Sequence, residues 1–315
     1  MSYLHGNEVH IATIRGDLKM LESLIRHQSL NLPGLYFHSA LHAAVEIGRL
    51  DTVKWILEHG AEVNDARGNP LQIAVERGHT EIVSLLLNAG ADPTLSTGEY
   101  GSTLHTAVFL QRLDIVRLLV REKTTLFHRQ SAFGSVLDVA ACRKDGNSRM
   151  LTALVSAGVN INTEDSGCSS SLDAAVICGY RRNVGTLLRL GARGDQGLKL
   201  AIQRKLLRIA RLILDHQPRT LETITSLQWS PLISAAANDD FKMVLLILQR
   251  VQASFRPFLL EMTGTWQGLT PLDCARRAGQ VKITQLLEVT LVYRHAPAIT
   301  YRSKRHRGSE LIPSS

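Results

Sequence analysis

LHAAVEIGRLDTVKWILEHGAEVN, residues Leu41 to Asn64, returns in altered form at Leu71–Thr94 as LQIAVERGHTEIVSLLLNAGADPT. Each copy has a leucine followed three residues later by alanine, then a glycine, then an apolar stripe closed by a second glycine. Followed outward, the anchor recurs at Val9, Leu41, Leu71, Leu104, Leu137, Leu172, Leu198, Leu232 and Leu272. Every anchor has its alanine: Ala12, Ala44, Ala74, Ala107, Ala140, Ala175, Ala201, Ala235 and Ala275. The spacings are 32, 30, 33, 33, 35, 26, 34 and 40 residues. Self-similarity at such a period is the signature of a stacked helical solenoid.

One unit explains why it must stack. Leu71, Ala74 and Val75 share a face of a short helix that Gly78 ends, because glycine accepts the left-handed backbone of a tight helix-to-helix turn. Gly16, Gly48, Gly179 and Gly279 hold the same place elsewhere. A second helix carries Ile82, Val83, Leu86 and Leu87 as its expected buried stripe and ends at Gly90. Small alanines let helices approach closely. A single pair cannot bury its apolar faces alone, so pairs must pack on pairs.

SALHAA at Ser39–Ala44, GNPLQIA at Gly68–Ala74, GSTLHTA at Gly101–Ala107 and GLTPLDCA at Gly268–Ala275 precede or open first helices. HGAEVN, AGADPT and AGVNIN follow second helices. With these elements the chain resembles the ankyrin-repeat family over roughly residues 6–291. The resemblance implies an all-α solenoid of helix–loop–helix units with short β-hairpin fingers and a concave binding side. The shortened fingers are similar to those of ankyrin arrays common in filamentous fungi. The expected organisation is an N-terminal capping repeat (1–37), regular repeats (38–197), degenerate and C-terminal repeats (198–291) and a basic, disordered tail (292–315). Glu8, Arg15, Asp17, Lys19 and Glu22, distributed over the first unit, suit a cap.

Several stretches depart from the pattern. Fingers before Leu71, Leu104 and Leu137 are short, and Tyr100 and Phe133 precede the glycine in two of them. CRKDGNSRM carries an insertion. The Leu198 unit lacks a finger and has Lys205 where glycine is expected, and Pro257 is expected to interrupt any helix in the exit from the Leu232 unit. A distorted stack is expected between roughly 190 and 265.

Composition bounds function. A 44% hydrophobic content is that of a folding chain, while 5% aromatics imply an aliphatic core. No secretory signal or membrane-length apolar run is read, and Cys142, Cys168, Cys178 and Cys274 form no CxxC pair. The cysteines read as reduced thiols of the cytosol or nucleus. Cys142, Cys178 and Cys274 are expected to pack within helices.

The site reading is non-catalytic. His10, His42 and His105 recur one residue after their anchors, so they are architectural. The resemblance gives them hydrogen bonds to neighbouring loops, and places His79 structurally at a helix start. No metal-ligand spacing, phosphate loop or nucleophile elbow occurs, and GCSSS at Gly167–Ser171 lies at a finger tip. Asp239 and Asp240 are read as helix-start carboxylates. No enzyme, cofactor or metal is expected.

The resemblance also implies that partners meet finger tips and the positions two and three after each alanine. Here these are Glu46 and Ile47, Glu76 and Arg77, Phe109 and Leu110, Cys142 and Arg143, Ile177 and Cys178. Phe109, Leu110 and Ile177 stand as an apolar strip rimmed by Glu76, Arg77 and Arg143 or are covered by the irregular fifth unit or the shortened fingers; Trp266 is a further contact or packs under the exit loop, and Trp229 is read as a packing residue. The expected function is an adaptor or scaffold binding one or more proteins, as a monomer without membrane contact, in cytoplasm or nucleus.

A net charge of +8 and pI of 9.5 leave two alternatives. One is a nuclear transcription coregulator, with Arg302, Lys304, Arg305 and Arg307 as an import signal. The other is direct nucleic-acid binding through the basic run Arg181–Arg211, although no nucleic-acid module or interleaved aromatics accompany it.

Overall fold

The computed structural model describes residues 8–34, 37–65, 68–95, 101–122, 134–143, 146, 148–163, 170–226, 229–263 and 268–293, with the backbone of 299–302 and 310–313. The chain forms two compact units. The first comprises Met1–Ala140, Asn147–Asn160 and Asp165–Gly167; the second comprises Ala141–Gly146, Ile161–Glu164 and Cys168–Ser315.

Helix pairs build the first unit: α1 (Glu8–Arg15) with α2 (Leu18–Leu24), α3 (Ala40–Ile47) with α4 (Leu50–Glu58), α5 (Pro70–Arg77) with α6 (Thr80–Asn88), and α7 (Thr103–Phe109) with α8 (Leu113–Glu122). They are followed by α9 (Val136–Ala141) and α10 (Ser148–Ser156). First helices make one layer, α1 on α3 on α5 on α7; second helices make another, α4 on α6 on α8 on α10.

The second unit repeats this plan with α11 (Ser171–Ile177), α12 (Arg181–Arg189), α13 (Asp195–Gln203) and α14 (Leu207–His216). Short α15 (Thr220–Ile224) precedes α16 (Pro231–Ala237) and α17 (Phe241–Arg250). Short α18 (Arg256–Glu261) then leads to α19 (Pro271–Arg277) and α20 (Val281–Val292). Here α11, α13, α16 and α19 form the first layer, and α12, α14, α17 and α20 the second. The stack is therefore continuous through 190–265, and its irregularity lies in the two added helices. Pro257 opens α18 near its first turn rather than only breaking a helix, because a proline there forfeits no intrahelical hydrogen bond.

The anchors are the core. All nine alanines are fully buried, as are Val9 and the first seven leucine anchors. Leu272 is half-buried, in the last helix pair described. In the second-helix stripe, Ile82, Val83 and Leu86 are buried while Leu87 is only half-buried. At the other end Glu8, Arg15, Asp17, Lys19 and Glu22 are all exposed.

The turn between paired helices is left-handed. Gly48 (φ 79°) and Gly78 (φ 78°) close α3 and α5, each returning its N–H to the carbonyl four residues back. These two glycines have a second reason. A Cβ on Gly48 would sit 2.5 Å from the His79 ring, and one on Gly78 would sit 2.8 Å from the Arg112 guanidinium carbon. Side chains of the next repeat occupy the vacant Cβ positions. The same turn is made without glycine by Lys205 (φ 58°), the position expected from the sequence, and also by Gln111 (φ 60°) and Asp239 (φ 55°).

Finger segments that are described form turns and single bridge residues rather than strand ladders. Their asparagines join repeats. Asn64 donates to the Gly90 carbonyl (3.0 Å) and accepts from the Asp92 N–H (2.8 Å); Asn162 likewise donates to the Gly191 carbonyl (3.2 Å) and accepts from the Arg193 N–H (2.9 Å). The Leu198 unit has no finger, since α13 starts directly after Gly194. Gln217, after α14, supplies the bonds from the other side, donating to the Ala192 carbonyl (2.7 Å) and accepting from the Gly194 N–H (2.8 Å).

Within the tail expected to be disordered, β1 (Ile299–Arg302) pairs antiparallel with β2 (Glu310–Pro313), Ile299 opposite Pro313 and Arg302 opposite Glu310. Two four-residue strands are too short to display an apolar period in the sequence.

Candidate partner-binding face

Most of the first helices are fixed at their start by a polar side chain, whereas α13 starts after Gly194 without a side-chain cap. The Ser39 hydroxyl lies 2.8 Å from Nδ1 of His42, and Ser102 stands in the same relation to His105, whose Nε2 lies 3.2 Å from the Gly134 carbonyl oxygen. For His105 this is the bond to a neighbouring loop that the resemblance implies; the His42 contact is to the start of its own helix. Burial pushes the His10 and His105 imidazoles below their ordinary pKa, more than the partial offset from the Ser39 and Gly134 backbones. Asn69, Ser170, Ser230 and the Thr270–Asp273 capping box fix other first helices. Ser170 is thus a helix cap, while Gly167–Ser169 lie outside the described residues. Asp240 caps α17, accepting from the Met243 N–H at 3.0 Å. Its neighbour Asp239 does a different job from the one expected, making the left-handed turn.

At the other end of the first helices the residues two and three after the alanine form rungs between repeats. Arg77, three after Ala74, ion-pairs with Glu46, two after Ala44. In the second unit Cys178 meets Cys142 in the same register, with sulfurs 3.1 Å apart. Arg204 donates to the Ile177 carbonyl (3.2 Å) and Asn238 to the Gln203 carbonyl (3.4 Å), again from the third position to the second. Glu46 is half-buried and Glu76 and Arg77 are exposed. Ile47 is 42% exposed, so an aliphatic side chain faces solvent beside the Glu46–Arg77 pair. Phe109 and Leu110 are half-buried in the first unit; Ile177 is 38% exposed and Arg143 half-buried in the second.

Cys142 and Cys178 correct an expectation. They are exposed rather than packed, because α9 ends at Ala141 and α11 at Ile177, leaving each cysteine past the buried face of its helix. Cys274 is partly buried, and burial raises its thiol pKa. Trp266 lies outside the described residues, as do Cys168, Lys304, Arg305 and Arg307; Arg302 falls in β1. Trp229 is half-buried, closes a two-residue bridge with Ser226 and has the Lys199 ammonium 5.7 Å from its ring centroid.

The basic run does not form one stripe. Arg181, Arg208 and Arg211 line a cleft of about 310 Å³ between α12 and α14, where Asp215 is bound 2.6 Å from Arg250. Arg204 serves the first-helix rung and Lys199 lies by Trp229. In the first unit Arg117, Arg121 and Arg149 line a cleft of about 700 Å³ between α8 and α10. Among the described residues no helix is long and apolar enough to cross a membrane, and no cluster of three or more His, Cys, Asp or Glu could hold a metal.

A family profile described as "Ankyrin repeats (3 copies)" matches residues 9–97 and 64–131. Among solved structures, the ankyrin repeat domain of Bcl-3, described as a unique member of the IkappaB protein family, superposes with a TM-score of 0.58 at 22% identity. That match covers 66% of this chain and 97% of that domain. Repeats of this kind with this fold make the chain an ankyrin-repeat protein, a class whose repeats mediate protein–protein interaction.

Curated relatives match in part. Palmitoyltransferase AKR1 of Kluyveromyces lactis is 36% identical over 115 residues, 34% of this chain and 15% of the relative. Putative palmitoyltransferase ZDHHC13 of Danio rerio is 30% identical over 160 residues, 49% of this chain and 25% of the relative. Human transient receptor potential cation channel subfamily A member 1 is 26% identical over 167 residues, 51% of this chain and 15% of the relative. The chain thus spans at most a quarter of the length of these relatives.

Proposed function

We propose that this array is a non-catalytic adaptor or scaffold that holds a partner protein on its first-helix face and finger tips. The observation carrying this reading is the exposed Ile47 beside the Glu46–Arg77 pair. An apolar centre with a charged rim suits protein recognition, and rungs between repeats keep the face preformed, which lowers the ordering cost of binding. Glu46, Ile47, Glu76, Arg77, Phe109 and Leu110 are the contacts assigned to the first unit. Arg143 and Ile177 are those assigned to the second, with Trp266 as a finger-tip contact. The test is affinity capture from the source lysate with the intact chain, an Ile47→Glu variant and a Phe109→Ala, Leu110→Ala double variant, each checked for unchanged thermal stability. Specific loss of one captured protein with the variants supports the reading; an identical capture profile refutes the assignment of this face.

The adaptor reading holds in cytoplasm or nucleus; its alternative is a nuclear coregulator acting through protein contacts, with Arg302, Lys304, Arg305 and Arg307 as the import signal. Replacing Lys304, Arg305 and Arg307 is expected to move the protein to the cytosol. Unchanged distribution removes this version and leaves the adaptor reading standing.

A further inference from the structure

Cys142 and Cys178 form a rung built from two thiols. Both are exposed, and both belong to the second unit. Their sulfurs stand 3.1 Å apart, inside ordinary sulfur–sulfur van der Waals contact. The backbone on each side is held. The buried Asn183 side chain of α12 donates to the Ala141 carbonyl at 2.7 Å and to the Arg143 carbonyl at 3.1 Å, bracketing Cys142. Cys178 is the C-cap of α11 and returns its N–H to the Ala174 carbonyl at 3.0 Å. The Cys142 thiol points to that same carbonyl, at 3.7 Å. The Arg204 guanidinium holds the Ile177 carbonyl, directly before Cys178 in the chain.

We propose that Cys142 and Cys178 are a redox modification site, at which hydrogen peroxide converts the dithiol rung into an intramolecular disulfide. One thiolate attacks the peroxide, the O–O bond breaks, and hydroxide leaves to take a proton, giving a sulfenic acid. The second thiolate attacks that sulfur, the S–O bond breaks, and the oxygen leaves as water. Two thiols and one peroxide thus yield one disulfide and two waters; the sulfurs are oxidised and the peroxide oxygens reduced. The product is a covalent version of the rung that Glu46 and Arg77 make electrostatically. It lies next to Arg143 and Ile177, but the inference stands whether or not those residues bind a partner.

The experiment exposes the full-length protein to hydrogen peroxide, blocks remaining thiols with N-ethylmaleimide, and maps peptides under non-reducing conditions. The expected product joins the Cys142 and Cys178 peptides, lowers the intact mass by two hydrogens and reverts with dithiothreitol. Cys142→Ser and Cys178→Ser each abolish it, whereas Cys274→Ser leaves it unchanged. Because the two thiols are held together only in the fold, this cross-link is expected to form at least about tenfold faster in native than in urea-unfolded protein. Cross-links to Cys168 or Cys274 instead, separate sulfinic acids, or equal rates in the two states would each overturn the proposal. Circular dichroism of the serine variants separates loss of the thiol from loss of the fold.

Discussion

The repeats at Leu41 and Leu71 and the repeats at Leu198 and Leu232 solve the same packing problem with different residues. The first pair use glycine turns, with next-repeat side chains seated over them, and a finger asparagine that bonds forward to the next repeat. The second pair use Lys205 and Asp239 in the same left-handed turn, reach backward with Gln217, and add α15 and α18. What both keep is the buried anchor and its alanine. Backbone geometry and core volume are therefore the constants of the repeat, and residue identity at turns and fingers is the variable.

The sharpest test of that equivalence is the core. Leu198→Ala and Leu71→Ala are each expected to cost about 3 kcal/mol, since both leucines are fully buried and truncation removes transfer energy and leaves a cavity. Urea denaturation of both variants measures this. A cost at Leu198 of a small fraction of that at Leu71 would mean that the finger-less repeat is not packed as its neighbours are.

Next in size are the turns. Gly48→Ala is expected to lose about 2 kcal/mol, because a left-handed alanine is strained and the His79 ring must also move. Gly179→Ala meets nothing within 4 Å, so only the backbone strain remains, about 1 kcal/mol. Equal losses at the two glycines would show that the His79 ring yields freely, and that the second reason for glycine in the regular repeats carries no weight.

The anchors, alanines, glycine turns and recurring histidines were legible because period and residue type encode them directly. Lys205 was legible by alignment to the glycines. Gln111 and Asp239 were not, because a left-handed non-glycine residue is imposed by the helices on either side and has no residue signature of its own. Gln217 was hidden because it replaces a finger asparagine from the opposite direction, twenty-three residues from Gly194. The Cys142–Cys178 rung is not legible from either residue alone, although both lie two or three places after their alanines. The readable signal was the offset, second position to third position of the next repeat, which Glu46 and Arg77 display in opposite charges.

Acid acts on the first unit through its buried histidines. The unfolded-state value for histidine is 6.5, and burial holds His10 and His105 below it in the folded chain. Between those values the unfolded chain binds more protons, so stability rises with pH there. The stability present above pH 6.5 is lost as pH falls toward the folded values. Urea midpoints taken from about pH 7.5 down to about pH 5.5 are expected to decline, and His105→Gln, which does not titrate, is expected to flatten part of that decline. An unchanged slope in the variant would place the acid sensitivity outside this cap.

The smallest effect is the most direct measure of what the irregular repeats give up. Lys205 is exposed, its φ is 58°, and the turn closes through the Leu206 N–H to the Ala201 carbonyl at 2.8 Å. Lys205→Gly removes the left-handed strain of a side chain, about 1 kcal/mol, but returns freedom to the unfolded chain worth about 0.4–1 kcal/mol. The net is a gain of no more than about 0.5 kcal/mol. Lys205→Val keeps the unfolded chain stiff and puts a β-branched side chain in the same turn, so it is expected to lose more than about 1 kcal/mol. The sign difference between the two variants, read as opposite shifts of the urea midpoint, isolates the turn from every contact around it. If both variants destabilise, Lys205 holds the repeat through its side chain, and the finger-less repeat is not merely tolerating a strained turn but using it.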